Sequence, residues 1–258
     1  VTTRARGAGD AVGAVGAVGA FRALHHGDAP LVLPNVWDAV SARAFADAGF
    51  PALATSSSAV AATLGYADGE DTPPGEMFAA VARIVRAVDV PVTADIERGY
   101  GLAPREIAER LLEAGAVGCN LEDSEPAARG LADPGRQAER LAAVCAAADG
   151  RLLVNARIDT YLRGADDPSA AAVERGRLYA AAGAECVFPI AAPPDHLPVL
   201  AARIGAPVNA LCRPGSPSPA ELGALGASRV TFGGSLHDRA AAAVAELAAG
   251  LHGGRGRL

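Results

Sequence analysis

Asp95 and Glu97, one residue apart in the run ADIERGYG, are the first acids in this chain placed to do chemistry together. If that run is a strand, alternation puts both side chains on one face. A third acid, Glu122 in GCNLED, ends the next apolar run. Three carboxylates facing one space repel and raise one another's pKa unless a cation lies among them. Hard oxygen donors without clustered His or Cys suit Mg²⁺, or Mn²⁺, rather than zinc. The alternative is a set of buried ion pairs with Arg157 and Arg98, and the spacing leaves both open.

Other residues offer what an anionic ligand needs. Arg157, at the end of LLVNAR, can clamp a carboxylate through two parallel N–H bonds. It can also pair with Glu122 or Asp159, and the two roles are compatible. Ser56, Ser57 and Ser58 carry hydroxyls and N–H groups suited to an oxyanion, although each serine alone fits a polar loop equally well. Gly99-Tyr100-Gly101 allows a tight backbone turn beside a ligand, or an ordinary loop. The acidic loop GYADGEDTPP brings Asp68 or Asp71 within reach of a cation through water, unless it is only a solvated turn. None of the five histidines falls at an expected strand end, and His237, opening the last helix, reads as a cap. All 23 basic residues are arginine, so Schiff-base chemistry has no amine to use. A carbanion or enolate would need another electron sink, such as a metal.

These residues gain meaning from the elements that carry them. Eight short apolar runs alternate with segments of helical period: LVLPN, ALATSS, PVTADIE, GCNLED, LLVNAR, CVFPI, PVNAL and RVTFGG. Amphipathic helices such as PREIAERLLEA lie between them. Phrases such as AGFPA, AGAVG, AGAEC and LGASR precede strands, where Gly ends a helix in a left-handed turn. Eight such units in 258 residues favour a closed (β/α)₈ TIM barrel over an open sheet. Polar residues gather at the strand ends, including Asn209 in the seventh, and that end of a barrel is where chemistry sits. The strand starts are apolar.

Residues 1–20, rich in Gly, Ala and Val, read as a disordered or weakly ordered extension, and 21–258 as one barrel domain. A net charge of -6 argues against a nucleic-acid partner. No apolar run reaches membrane-span length. Four cysteines without CxxC spacing read as free thiols in a reducing cytoplasm.

The order of these segments resembles the isocitrate lyase/phosphoenolpyruvate mutase superfamily from about Phe21 to Leu251. ADIERGYG is similar to that family's metal motif, which implies Asp95 as the direct Mg²⁺ ligand and Glu97 acting through water. The LED and GYADGED blocks imply Glu122 and Asp68 as further carboxylates of the metal shell. NAR implies Arg157 as the substrate-binding arginine, and ATSS implies Ser56 and Ser57 at the substrate carboxylate. PNVWDAVSARAFADAGF resembles the first βα unit, with Trp37 near the pocket floor. Relatives form dimers or tetramers and often swap their last helix. The segment that carries Lys-Lys-Cys-Gly-His in the lyases reads SEPAARGLADPGR here.

The expectation is a Mg²⁺-dependent lyase that cleaves a C–C bond of a small 2-oxo or 2-hydroxy carboxylic acid through an enolate. Arg157, Glu122 and Tyr100 are the catalytic candidates, with Glu125 or water as other proton sources. Trp37, Ser56, Ser57, Asp95, Gly99, Arg157 and Asn209 are the substrate-binding candidates. The alternatives are P–C bond chemistry, with Arg129 and Arg136 meeting a phosphoryl group, and a silent barrel that binds Mg²⁺ and an oxo acid.

Overall fold

Every apolar run read as a strand contains one in the computed structural model, which describes residues 8–125 and 130–252. Strand β1 runs Leu31–Leu33 and resumes as Asn35–Val36, interrupted by Pro34, which has no N–H to give a ladder. The others are β2 (Leu53–Thr55), β3 (Val92–Asp95), β4 (Gly118–Glu122), β5 (Leu153–Ile158), β6 (Cys186–Pro189), β7 (Asn209–Leu211) and β8 (Arg229–Thr231). All pair parallel with their sequence neighbours, β6 meeting β7 through a single bridge from Val187 to Val208. The ring closes because Leu31 of β1 pairs with Arg229 of β8. That pairing decides for the barrel against an open sheet.

The helices form for reasons visible in their sequences. Pro104 opens α5 (Pro104–Ala114), where its missing N–H costs nothing. Ile107, Ala108, Leu111 and Ala114 then make one buried stripe. Gly115 stops the helix at φ 81°, and Gly226, in the last of the related phrases, sits at φ 107°. Asp38 caps α2 (Ala39–Asp47) by accepting the Ser41 N–H at 2.7 Å, and Asp167 caps α7 (Pro168–Ala181) in the same way. The apolar core lies mainly between strands and helices. A smaller group, including Leu31, Leu33, Leu153 and Cys186, fills the barrel towards its strand starts.

The run expected to be disordered or weakly ordered is helical from Ala8 onward in the described residues. Helix α1 spans Ala8–Ala23, and its Val18 and Phe21 are buried against Leu31, Leu33 and Leu153. The apolar floor of the barrel supplies a surface that the glycine-rich run lacks by itself. Burying a side chain the size of Phe21 contributes about 2 kcal/mol. Residues 1–7 lie outside the described residues. All four cysteines are free thiols. Among the described residues no helix is long and apolar enough to cross a membrane.

Candidate active site

A cavity of about 950 Å³ opens at the strand ends, lined by Ser56, Ser57, Ser58, Asp68, Asp95 and Arg157 among others. Asn35 helps to build its rim. Its amide donates to the Thr55 carbonyl at 2.8 Å and accepts from the N–H groups of Phe232 and Gly233, tying β1 to the ends of β2 and β8.

Asp95 ends β3, and its N–H donates to Thr55 Oγ1 at 2.9 Å. One carboxylate oxygen accepts the Ser57 hydroxyl at 3.1 Å, at the start of α3 (Ser57–Leu64), where a helix dipole favours negative charge. Asp68 reaches the same cavity from the acidic loop. Burial, and then the negative charge of Asp95, push its carboxyl above the usual range. That loop is stitched to the GYG turn by Glu70, which accepts the Tyr100 N–H at 2.6 Å.

Arg157 is held from two sides. Its guanidinium lies 2.7 Å from Glu122 and makes a two-pronged contact with Asp159 at 2.7 and 2.9 Å. Burial alone would weaken its positive charge, but Glu122 and Asp159 outweigh it and raise its pKa. Burial pushes Glu122 up, while Arg157 opposes that shift. Ser124 also donates its hydroxyl to Glu122.

Asp95, Glu97 and Glu122, expected around one cation, each hold a protein partner in the described structure. Glu122 is spent on Arg157, a permanent cation within reach. Glu97 is buried and accepts the Tyr100 hydroxyl at 2.8 Å. Burial first, together with the charges of Asp95 and Asp68, pushes its carboxyl up to about 8. Among the described residues no three His, Cys, Asp or Glu side chains come together as a ready metal cage. Asp95 and Asp68 line the cavity wall, and Asp238 of the last helix is the third acid there.

Several other candidates stand back from the cavity. Gly99 packs against α5, where an added Cβ would meet Ile107 at 2.5 Å, so close packing and φ 91° require glycine there. Tyr100 is buried on Glu97. Trp37 meets the His237 ring edge-on at 5.1 Å, and packing replaces the capping role expected of His237. Asn209 is fully buried and accepts the Thr231 hydroxyl at 3.1 Å. Glu125 lies 3.9 Å from Arg98. Asp123 turns away to accept from Arg175 and Tyr179. Arg136 sits in α6 (Pro134–Ala148) and does not line the cavity, and Arg129 lies outside the described residues.

Sequence reasoning passed over Asn35 and Asn120, which both line the cavity, and Arg213 and Arg239 at its mouth. Asn120 carried a usable signal, since it lies two residues before Glu122 and alternation gives both one face. Arg213 and Arg239 follow β7 and β8 in loop and helix, where spacing predicts no direction.

The profile of the phosphoenolpyruvate phosphomutase family matches residues 21–252. An uncharacterised protein of Mycobacterium tuberculosis is 38% identical over 214 residues, covering 83% of this chain and 81% of its own length. A Burkholderia cenocepacia protein described provisionally as a phosphonomutase superposes with a TM-score of 0.84 at 42% identity, over 90% of this chain and 98% of its own. The structure of 2,3-dimethylmalate lyase, a member of the PEP mutase/isocitrate lyase superfamily, gives a TM-score of 0.82 at 26% identity, over 92% and 87%.

Proposed function

This chain belongs to the phosphoenolpyruvate mutase/isocitrate lyase superfamily of lyases and mutases, and from that premise we propose that it is a divalent-cation-dependent carbon–carbon lyase. Its substrate is a small 2-oxo or 2-hydroxy carboxylic acid. The observation that carries this reading is one cavity at the strand ends where Asp68 and Asp95 share the wall with Arg157, Ser56, Ser57 and Ser58.

The residues fit a cation that keeps most of its water. Two mutually repelling acids on one wall would be relieved by it, and their hard oxygen donors suit Mg²⁺. Asp95 would hold it directly and Asp68 through water, while Glu97 stands behind Asp95. When bound, Mg²⁺, or Mn²⁺ in its place, supplies Lewis-acid stabilisation of an enolate.

The protein's own groups do the rest. Arg157, already fixed by Glu122 and Asp159, presents positive charge to the substrate carboxylate without having to reorganise. The hydroxyls of Ser56 and Ser58, 3.0 Å apart, and the loop around them take the remaining oxygens. In a 2-oxo acid with a carboxylate on the next carbon, the C–C bond breaks as CO₂ leaves, its electron pair moves onto the 2-oxo oxygen as the enolate forms, and a proton then returns to carbon. Water is the donor favoured here, because Tyr100 is engaged with Glu97 and Glu125 stands beside Arg98.

Phosphoenolpyruvate mutase-type P–C chemistry has one specific point in its favour. Arg213 and Arg239 at the cavity mouth could meet a second anionic group. Assays with oxaloacetate, 2-methylisocitrate and phosphonopyruvate in parallel separate the two, and binding without turnover of any would mark a silent barrel. Calorimetry with Mg²⁺ and oxalate tests the site itself. Asp95→Ala should abolish metal-dependent oxalate binding, and full binding by that variant would remove the basis of this reading.

The assembly proposed is a homodimer or homotetramer. Helix α10 (Ser235–His252) has no buried residue, and Val244, Leu247 and Leu251 form an exposed apolar stripe on it. Val40 on α2 is also exposed. A second copy of this chain is the partner that would cover both.

A further inference from the structure

Asn120 sits in the middle of a polar row inside the barrel. It pairs in register with Asp95 on β3 and with Asn155 on β5. Its Oδ1 accepts the Asn155 amide at 2.8 Å and an Arg229 guanidinium N–H at 3.4 Å. Arg229 is itself fully buried, and its Nε and one terminal nitrogen have no hydrogen-bond partner among the described residues.

An amide can normally be turned round with little cost, because its oxygen and nitrogen have the same shape. Two facing asparagines preserve that ambiguity, since turning both exchanges one N–H···O bond for another. Arg229 removes it. A guanidinium has five N–H donors and no acceptor, so the atom facing it must be an oxygen. With Oδ1 committed to Asn155 and Arg229, Nδ2 is the end of the amide left for the cavity that Asn120 lines together with Asp95.

We propose that Asn120 contacts the substrate, donating its side-chain N–H to an anionic oxygen of the bound acid, and that Arg229 is the positioning residue that fixes the polarity of this amide. The proposal rests on the reading of this cavity as a site for a 2-oxo acid. It adds a selection rule, because this stretch of the wall is a donor and accepts only oxygens that carry a free lone pair. A ligand placing an ammonium there would leave two donors face to face.

Calorimetric binding of oxalate in the presence of Mg²⁺ tests it. A hydrogen bond to a charged oxygen is worth a factor of about 10 to 100 in affinity, so Asn120→Ala should weaken oxalate by that factor. Asn120→Asp keeps the size of the side chain but loses the N–H, so it should weaken oxalate at least as much and guards against a packing defect in the alanine variant. Arg229→Gln, an amide that can face Asn120 with either end, should lower affinity in the otherwise unaltered chain. It should cause no additional loss on top of Asn120→Ala, whereas a merely structural role would add a second, independent loss. Oxalate binding by the folded Asn120 variants within about twofold of the unaltered chain overturns the proposal, leaving the parent reading intact. Failure of the unaltered chain to bind oxalate overturns both.

Discussion

Arg157 shows how one side chain serves both ligand and fold. It is pinned by Glu122 and Asp159 while still lining the cavity, so the structural and functional roles weighed from sequence coexist. Removing it would strand two buried carboxylates, a change that typically costs about 3 to 5 kcal/mol. Arg157→Met should lower urea-unfolding stability by that amount and abolish oxalate binding. A loss under about 1 kcal/mol would mean that Glu122 and Asp159 find other partners. At this scale the residue types, the rim and the possible partners of Arg157 were legible, but not that Glu122 and Asp159 would both hold it at once. Glu122 was legible as an acid at a strand end; that a guanidinium would claim it depends on a 2.7 Å approach between neighbouring strands.

Helix α1 and the turn after it belong to the scale of elements. His25, just beyond α1, is buried, and one ring nitrogen sits 2.9 Å from the Phe21 carbonyl. Burial first, and then the positive charge of Arg229, push its imidazole down to about 4. The unfolded chain, with an ordinary value near 6.5, therefore binds the proton more readily than the folded one. Stability from this group is complete above pH 6.5 and falls as the pH drops towards 4, by up to about 3 kcal/mol. Unfolding of the wild type and His25→Asn measured between pH 7 and 4 should show a shallower decline in the variant; parallel curves would contradict the assignment. The strands, the helices and the glycine turns between them were legible because alternation, helical period and left-handed glycines are local properties. Helix α1 was not, because its stability comes from a barrel floor built by residues far along the chain.

At the scale of the whole molecule, α10 is the open question. An 18-residue helix with no fully buried residue, and with three large apolar side chains along one exposed stripe, gains stability by meeting a second subunit. Sedimentation should find the unaltered chain as a dimer or tetramer, and Leu247→Asp combined with Leu251→Asp as a smaller species. A monomeric unaltered chain would count against the proposed assembly. The eight-unit order, the acids at the strand ends and the absence of lysine were fixed by sequence alone, since they follow from residue type and period. Which acids meet the cavity, which are taken by Arg157 and Tyr100, and which way Asn120 faces were decided only by the closed barrel. Those outcomes depend on distances of a few ångströms between residues remote in the chain, where a buried donor or cation selects one partner and excludes the rest.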